Sequence, residues 1–175
     1  MLSAKRTLSL IEKRIFSHGY HRQQIIRPMS ISTANPHTNI AEESLPKPTG
    51  LVMQIIVRRD LLTEHKWPVG PLLAQSAHAA TAVLHRFRDH PDVKRYLKGE
   101  DGRGWETMRK VVLEVPDEAA LKSLASKIDD MANPVGYHMW IEQPENTPTA
   151  LALVPNKRPK GLKRAFDEVG CELFK

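Results

Sequence analysis

The segment from Leu51 to Val57 constrains the fold more than any other part of the chain. It reads Leu-Val-Met-Gln-Ile-Ile-Val, so all of its residues except Gln54 are apolar, and most of these are β-branched. A run of this composition and length is typical of a strand that is buried on both faces. Such a strand needs a layer of structure on each side, so the sequence predicts a sheet covered by helices.

The residues that follow alternate between helix-like and strand-like patterns. We predict a long helix over 71–88, with Gly70 as its N-cap and Pro71 at its first helical position. The other predicted elements are a short helix over 91–97, strands at 109–115, 135–142 and 149–154, and helices from Asp117 to about Asn133 and over 160–169. The order βα(α)βαββα predicts an α/β domain with a mixed four-stranded sheet flanked by helices.

The long helix has two different faces when its residues are placed 100° apart. Gln75 and His78 lie on one side, one turn apart, where both can act on the same small volume. A single helical histidine is often a surface or packing residue, so the catalytic and structural interpretations of His78 both stay open. The opposite, apolar stripe is predicted to pack on the sheet, and it consists of Leu73, Ala77, Ala80, Leu84 and Phe87.

The first 49 residues differ in composition from the rest. They hold seven of the 26 lysines and arginines but three of the 20 acidic residues, with many Ser and Thr, and residues 30–48 form a polar stretch typical of a linker. Such a composition is typical of a mitochondrial transit peptide. We therefore expect a disordered leader and linker over 1–49, a folded domain over 50–175, and a mitochondrial location. The alternative is a disordered basic tail that binds RNA or a membrane, with a cytoplasmic location.

Several classes of protein are disfavoured by the sequence. Cys171 is the single cysteine, which excludes an internal disulfide and a thiolate zinc site. No H-E-x-x-H spacing is present, so we expect neither a metal nor a cofactor. No apolar run approaches the roughly 18 residues that a membrane span needs. The sequence leaves the oligomeric state open, and a homodimer is compatible with it.

Four segments, in order, resemble motifs of the archaeal/eukaryotic-type peptidyl-tRNA hydrolase family. Gly70 to Ala80 is similar to its G-K-x-x-A-Q-x-x-H-A motif, and Val57 to Leu61 is similar to V-R-x-D-L. Lys110 to Leu113 resembles its second strand, and Thr147 to Pro155 resembles T-x-T-x-L-G-x-G-P. Three further segments look most like the divergent peptidyl-tRNA hydrolase domain-containing subgroup; they are Trp67-Pro68, residues 88–91 and residues 143–146.

The resemblance implies a hydrolase that cleaves the ester between a peptide and the 3′ ribose of tRNA without a metal. His78 would be the general base, since a neutral imidazole can accept a proton near pH 7. Gln75 and Thr149 would orient water or donate to the oxyanion. Residues that would contact peptidyl-tRNA are Arg58, Thr147, Lys157 and Arg158. The basic group around Lys157 and Arg158 is alternatively a solvated surface.

Two departures from the family pattern affect the expected activity. The lysine of the helix motif is Pro71 here, and the aspartate after the third strand aligns with Gln143. Two interpretations follow. The chain is a peptidyl-tRNA hydrolase with full or reduced activity, or it is a catalytically inactive module of the same fold that binds tRNA or a protein.

Overall fold

The computed structural model describes residues 49–175, so the leader and linker expected over 1–49 lie almost entirely outside the described residues. The strands are β1 (Met53–Arg58), β2 (Lys110–Val115), β3 (Tyr137–Glu142), β4 (Thr147–Leu153) and β5 (Glu172–Leu173). The α-helices are α1 (Asp60–Thr63), α2 (Val69–Arg86), α3 (Pro91–Lys98), α4 (Glu118–Asp129) and α5 (Lys160–Glu168). A short 3-10 helix covers Gly104–Thr107.

The strands form one mixed sheet in the order β3-β4-β1-β2-β5. β1 and β2 are parallel, and the other neighbours are antiparallel. The predicted α/β class with a mixed sheet is confirmed, but the sheet has five strands in the described part of the chain rather than four. The added strand, β5, pairs with β2 through only Glu172 and Leu173, which is too short to give a period-two pattern.

Helices cover both faces of the sheet, as the apolar run in β1 predicts. Ile55 and Val57 point into the first core, where they meet α1, α2 and α3. Ile56 points into the second core, which α4 and α5 close through Leu121, Leu124 and Leu162. Ile56 and Val57 are 0% and 1% exposed, so β1 is covered on both faces of the sheet.

The prediction of which face of α2 packs on the sheet was wrong in the first half of the helix, whereas Ala80 is buried and Leu84 and Phe87 pack against the first core as predicted. Leu73 is 59% exposed, whereas Leu72 and Gln75 are buried. The buried side chains of α2 are Leu72, Gln75, Ala79, Ala80 and Val83. This stripe lies roughly 90° from the predicted one at 100° per residue. It was overlooked because it contains a glutamine, and because its alanines count little in an apolar pattern although they let the helix approach the sheet closely.

The predicted ends of the elements hold where a local signal marks them. The side chain of Asp117 caps α4 by accepting the backbone N–H of Ala120 at 2.8 Å. Gly170 follows α5 with φ of 67°, which suits a glycine beyond a helix end. The long helix begins at Val69 rather than Pro71, and the four-residue α1 was predicted as loop. Within residues 49–175, no helix is long and apolar enough to cross a membrane.

Candidate active site

A break in the β3–β4 ladder determines where Thr149 points. Trp140 pairs with Ala150 but Ile141 pairs with Pro148, so Thr149 is an extra residue on β4. Strict alternation would place residue 149 on the face opposite residue 150, because neighbouring side chains of a strand alternate. The extra residue interrupts the alternation of side chains along β4. The side chain of Thr149 therefore lies on the face that α2 covers, where it contacts Gln75.

Thr149 and Gln75 form a buried hydrogen bond across the interface between β4 and α2. The Thr149 hydroxyl donates to Gln75 Oε1 at 2.8 Å, and the two residues are 0% and 3% exposed. Because Oε1 accepts this proton, the amide NH₂ of Gln75 remains available as a donor. The pair therefore holds the amide of Gln75 in a fixed orientation within the interface between α2 and β4.

His78 lies one turn further along α2 and is exposed, as expected for a residue outside the packed face. Its imidazole stacks on the indole of Trp140, with ring centroids 4.7 Å apart and planes inclined by 18°. No hydrogen bond joins His78 to Gln75 in the described part of the chain. The structure thus places His78 and Gln75 on the same side of α2. His78 is accessible to solvent, and Gln75 is held by Thr149 of β4.

The sequence interpretation missed the residues of β3 that face α2. Trp140 Nε1 donates to Glu142 Oε2 at 2.8 Å, and this bond fixes the indole against which His78 rests. His138 lies on the same face two residues earlier, and its ring centroid is 6.4 Å from that of Trp140. The signal was available, since His138, Trp140 and Glu142 recur with the period of two that places side chains on one face of a strand.

Arg86 closes this row of side chains at the end of α2. Its Nη1 lies 3.4 Å from His138 Nδ1. Burial lowers the pKa of His138, and the positive charge of Arg86 lowers it further. Near neutral pH His138 is therefore mainly uncharged. The row then consists of one permanently charged side chain, Arg86, and the rings of His138, Trp140 and His78.

Arg58, expected to bind substrate, is 4% exposed and lies among protein partners. It donates to both oxygens of Asp60, to Glu118 and to the main-chain carbonyl of Pro148. Burial opposes the charge, but the hydrogen bonds and charges of Asp60 and Glu118 outweigh it and raise the pKa of Arg58. The guanidinium is therefore permanently charged and engaged, which favours a role inside the protein over contact with a ligand.

The other predicted substrate contacts lie apart from the pair formed by Gln75 and Thr149. Thr147 donates to the carbonyl of Glu145 at 3.3 Å and so closes the β3–β4 turn. Lys157 and Arg158 are exposed and follow the opposite end of β4. Val154 lies five positions after Thr149 along the extended chain, or roughly 17 Å, and the basic group follows Val154. A ligand that contacts both would have to be large.

Pro71 and Gln143 are both exposed. Pro71 lies in the first turn of α2, one turn before Gln75, and residues 69–71 are all exposed. Gln143 directly follows β3, and its Nε2 lies 3.5 Å from Asn146 Oδ1 in the turn. A charge introduced at either position would therefore be solvated rather than buried.

A depression of about 330 Å³ lies at the other end of α2, between Arg86, Phe87 and Asp129 and residues 134–137. Arg86 lies 11 helical positions after Gln75, or roughly 16 Å along the axis. The depression therefore lies apart from Gln75, and Arg86 joins it to the row formed by His138, Trp140 and His78. Within residues 49–175, no three His, Cys, Asp or Glu side chains cluster closely enough to hold a metal ion.

Comparison with known proteins gives consistent matches. Residues 51–163 match the family model described as Peptidyl-tRNA hydrolase PTH2. A human protein named "Putative peptidyl-tRNA hydrolase PTRHD1" is 42% identical over 133 residues, which cover 75% of this chain and 81% of that protein. The mouse protein of the same name is 46% identical over 110 residues, covering 62% of this chain and 74% of its own length.

Proposed function

This chain belongs to the peptidyl-tRNA hydrolase family, and we propose on that premise that it hydrolyses the ester between a peptide and the 3′ ribose of tRNA. One observation carries the proposal. The buried hydroxyl of Thr149 fixes the amide of Gln75, one helical turn from the accessible imidazole of His78. A fixed hydrogen-bond donor beside a base is the arrangement that ester hydrolysis by water requires.

In the proposed reaction, His78 accepts a proton from a water molecule as the water oxygen attacks the ester carbonyl carbon. The amide NH₂ of Gln75 donates to the carbonyl oxygen as it becomes negative. One well-placed donor of this kind contributes about 3 kcal/mol to the stability of the transition state. The bond to the ribose oxygen then breaks, and the imidazolium of His78 returns its proton to that oxygen. The products are a peptide acid and a tRNA with a free 3′ hydroxyl.

The alternative function is a binding module of the same fold. It is favoured by Pro71 and Gln143, which stand where the family resemblance implies a lysine and an aspartate. Neither residue can supply a charge to the reaction. In this interpretation the row of side chains on α2 and β3 binds tRNA or a protein, and no ester is cleaved.

Turnover and binding measured side by side distinguish the two functions. The full chain is incubated with a defined peptidyl-tRNA, and release of free tRNA is followed against a no-enzyme control, while binding of deacylated tRNA is measured separately. We expect release well above the uncatalysed rate, reduced strongly in Gln75→Leu. Tight tRNA binding with no release would reject the hydrolase and support the binding module.

A further inference from the structure

The side chain of Arg58 bonds to the main chain of β4 just beyond the end of the β1–β4 ladder. β1 pairs with β4 from Ile55↔Ala152 to Val57↔Ala150, and the pairing stops there. The next residues of β4, Thr149 and Pro148, leave the ladder on the β1 side. The buried carbonyl of Pro148 instead accepts a hydrogen bond from Arg58 Nη1 at 2.8 Å. The guanidinium therefore binds a buried carbonyl of β4 beyond the end of the β1–β4 ladder, where removing the donor would carry a desolvation cost.

The guanidinium is itself held on two sides. Asp60 accepts from Nε at 3.0 Å and from Nη2 at 2.6 Å, which is a two-pronged contact that fixes the plane of the group. Glu118, at the start of α4, accepts from Nη1 at 2.8 Å. Because Asp60 begins α1 and Glu118 begins α4, the position of the Pro148 carbonyl is tied to two helices.

These contacts lie on the side of the sheet opposite Gln75. Arg58 is two residues beyond Ile56 and shares its face, which is the face that α4 covers. Thr149, directly after Pro148, projects to the other face and reaches Gln75. Arg58 therefore binds the carbonyl of Pro148 from one face of the sheet, whereas the side chain of the next residue, Thr149, lies on the other face.

We infer that Arg58 is a positioning residue that sets the direction of the Thr149 hydroxyl, and through it the orientation of the Gln75 amide. Arg58 acts from the face of the sheet that α4 covers, and it does not touch the ligand. The inference rests on the proposed function for its catalytic consequence. Its structural part, that Arg58 controls the geometry of Thr149 and Gln75, is independent of whether the chain hydrolyses an ester.

The variant Arg58→Lys tests the inference because it keeps the positive charge and removes the fork that binds Asp60 and Pro148 together. Arg59→Lys is the matched control. Arg59 is the adjacent arginine, and it also contacts a carboxylate, Glu114 at 3.1 Å, and a main-chain carbonyl, that of Lys175 at 2.7 Å. Within residues 49–175, no hydrogen bond or ion pair joins Arg59 to β4. Glu118→Gln provides a milder change if Arg58→Lys does not fold, since Glu118 is 36% exposed and glutamine still accepts from Nη1.

Two readouts separate positioning from simple stabilisation. The first is the side-chain NH₂ signal of Gln75 in nuclear magnetic resonance spectra, assigned by its loss in Gln75→Leu. The second is kcat and KM for peptidyl-tRNA below the melting temperature. We expect Arg58→Lys to shift or broaden the Gln75 signal and to lower kcat by ~10²-fold with little change in KM, because a small displacement of an oriented donor has that effect. Glu118→Gln should change the same signal less, and Arg59→Lys should leave it unchanged.

The outcomes are distinct. A folded Arg58→Lys protein with an unchanged Gln75 signal overturns the inference, whatever its stability. The same is true if Arg59→Lys changes that signal equally. If the wild-type chain releases no tRNA, the proposed function fails, and the Gln75 signal alone then decides whether Arg58 controls Thr149.

Discussion

The imidazole of His78 lies almost parallel to the indole of Trp140, with ring centroids 4.7 Å apart. Trp140 is itself fixed by the hydrogen bond from Nε1 to Glu142. The stack orients an exposed side chain that would otherwise sample several rotamers, and it does so from a strand rather than from the histidine's own helix. The proposed reaction requires an imidazole with such a fixed orientation, because His78 has to accept a proton from a water molecule beside Gln75.

We predict that His78→Ala lowers tRNA release by about 10²–10⁴-fold, because a general base contributes that much to the rate. The protein should lose only about 1 kcal/mol of stability, since His78 is exposed and its main contact is one aromatic stack. Release rate and melting temperature are measured together. His85→Ala is the control, being an exposed histidine of the same helix. Equal release by the two variants would remove His78 from the mechanism.

The two departures from the family pattern predict a gain of activity. Pro71→Lys adds a cation one turn before Gln75, and Gln143→Asp adds a carboxylate after the strand that carries Trp140. Both positions are exposed, so neither charge has to be buried and both variants should fold. We expect the double variant to exceed the product of the single effects on turnover, measured as a double-mutant cycle. Strictly multiplicative effects would mean that the two positions do not act on one site.

The basic group after β4 should divide into two functional parts. Lys163 and Arg164 pair with Asp167 and Glu168 within α5, whereas Lys157 and Arg158 have no ion pair within the described residues. We predict that Lys157→Gln with Arg158→Gln weakens tRNA binding and lowers the salt slope of log K by about 2, since each lost phosphate contact removes about one unit. The matched control is Lys163→Gln with Arg164→Gln. Equal losses in both pairs would indicate nonspecific attraction.

Glu168 should make stability depend on pH in acid. Hydrogen bonds from Lys127 and then Arg164 lower the pKa of Glu168 from 4.5 to about 2. A carboxyl group with a folded-state pKa below its unfolded value stabilises the fold above the unfolded pKa, and this contribution is lost as the pH falls through the folded pKa. We therefore expect Glu168→Gln to melt below wild type at pH 6, with the difference disappearing between about pH 4.5 and 2. Glu145→Gln is the control, since Glu145 is exposed in the β3–β4 turn and has no ion pair within the described residues.

The composition of the first 49 residues predicts import into mitochondria. We propose that this segment is a leader removed on import and that the folded domain is the mature protein. N-terminal sequencing of the protein isolated from mitochondria is the measurement, and a start near Gly50 or within the preceding linker is the expected result. Intact Met1 on purely cytosolic protein would reject the proposal.

The sequence alone determined the α/β class, the order of the main elements and the positions of the motifs. Those inferences depend on signals that lie within a few residues of one another. Examples are the apolar run of β1, the Asp117 cap and the glycine after α5. The family match over residues 51–163 agrees with them. Each of these features has a local cause, so a single sequence can reveal it.

The tertiary structure decided the packed face of α2, the bond between Thr149 and Gln75 and the burial of Arg58. Gln75 and Thr149 are 74 positions apart, and their contact depends on an extra residue in β4 that shifts the phase of alternation. Arg58 and Pro148 are 90 positions apart, and their bond forms beyond the last pair of the β1–β4 ladder, Val57↔Ala150. A polar side chain enters a core only when a distant partner satisfies it, and that partner is fixed by the register of strands rather than by any neighbouring residue.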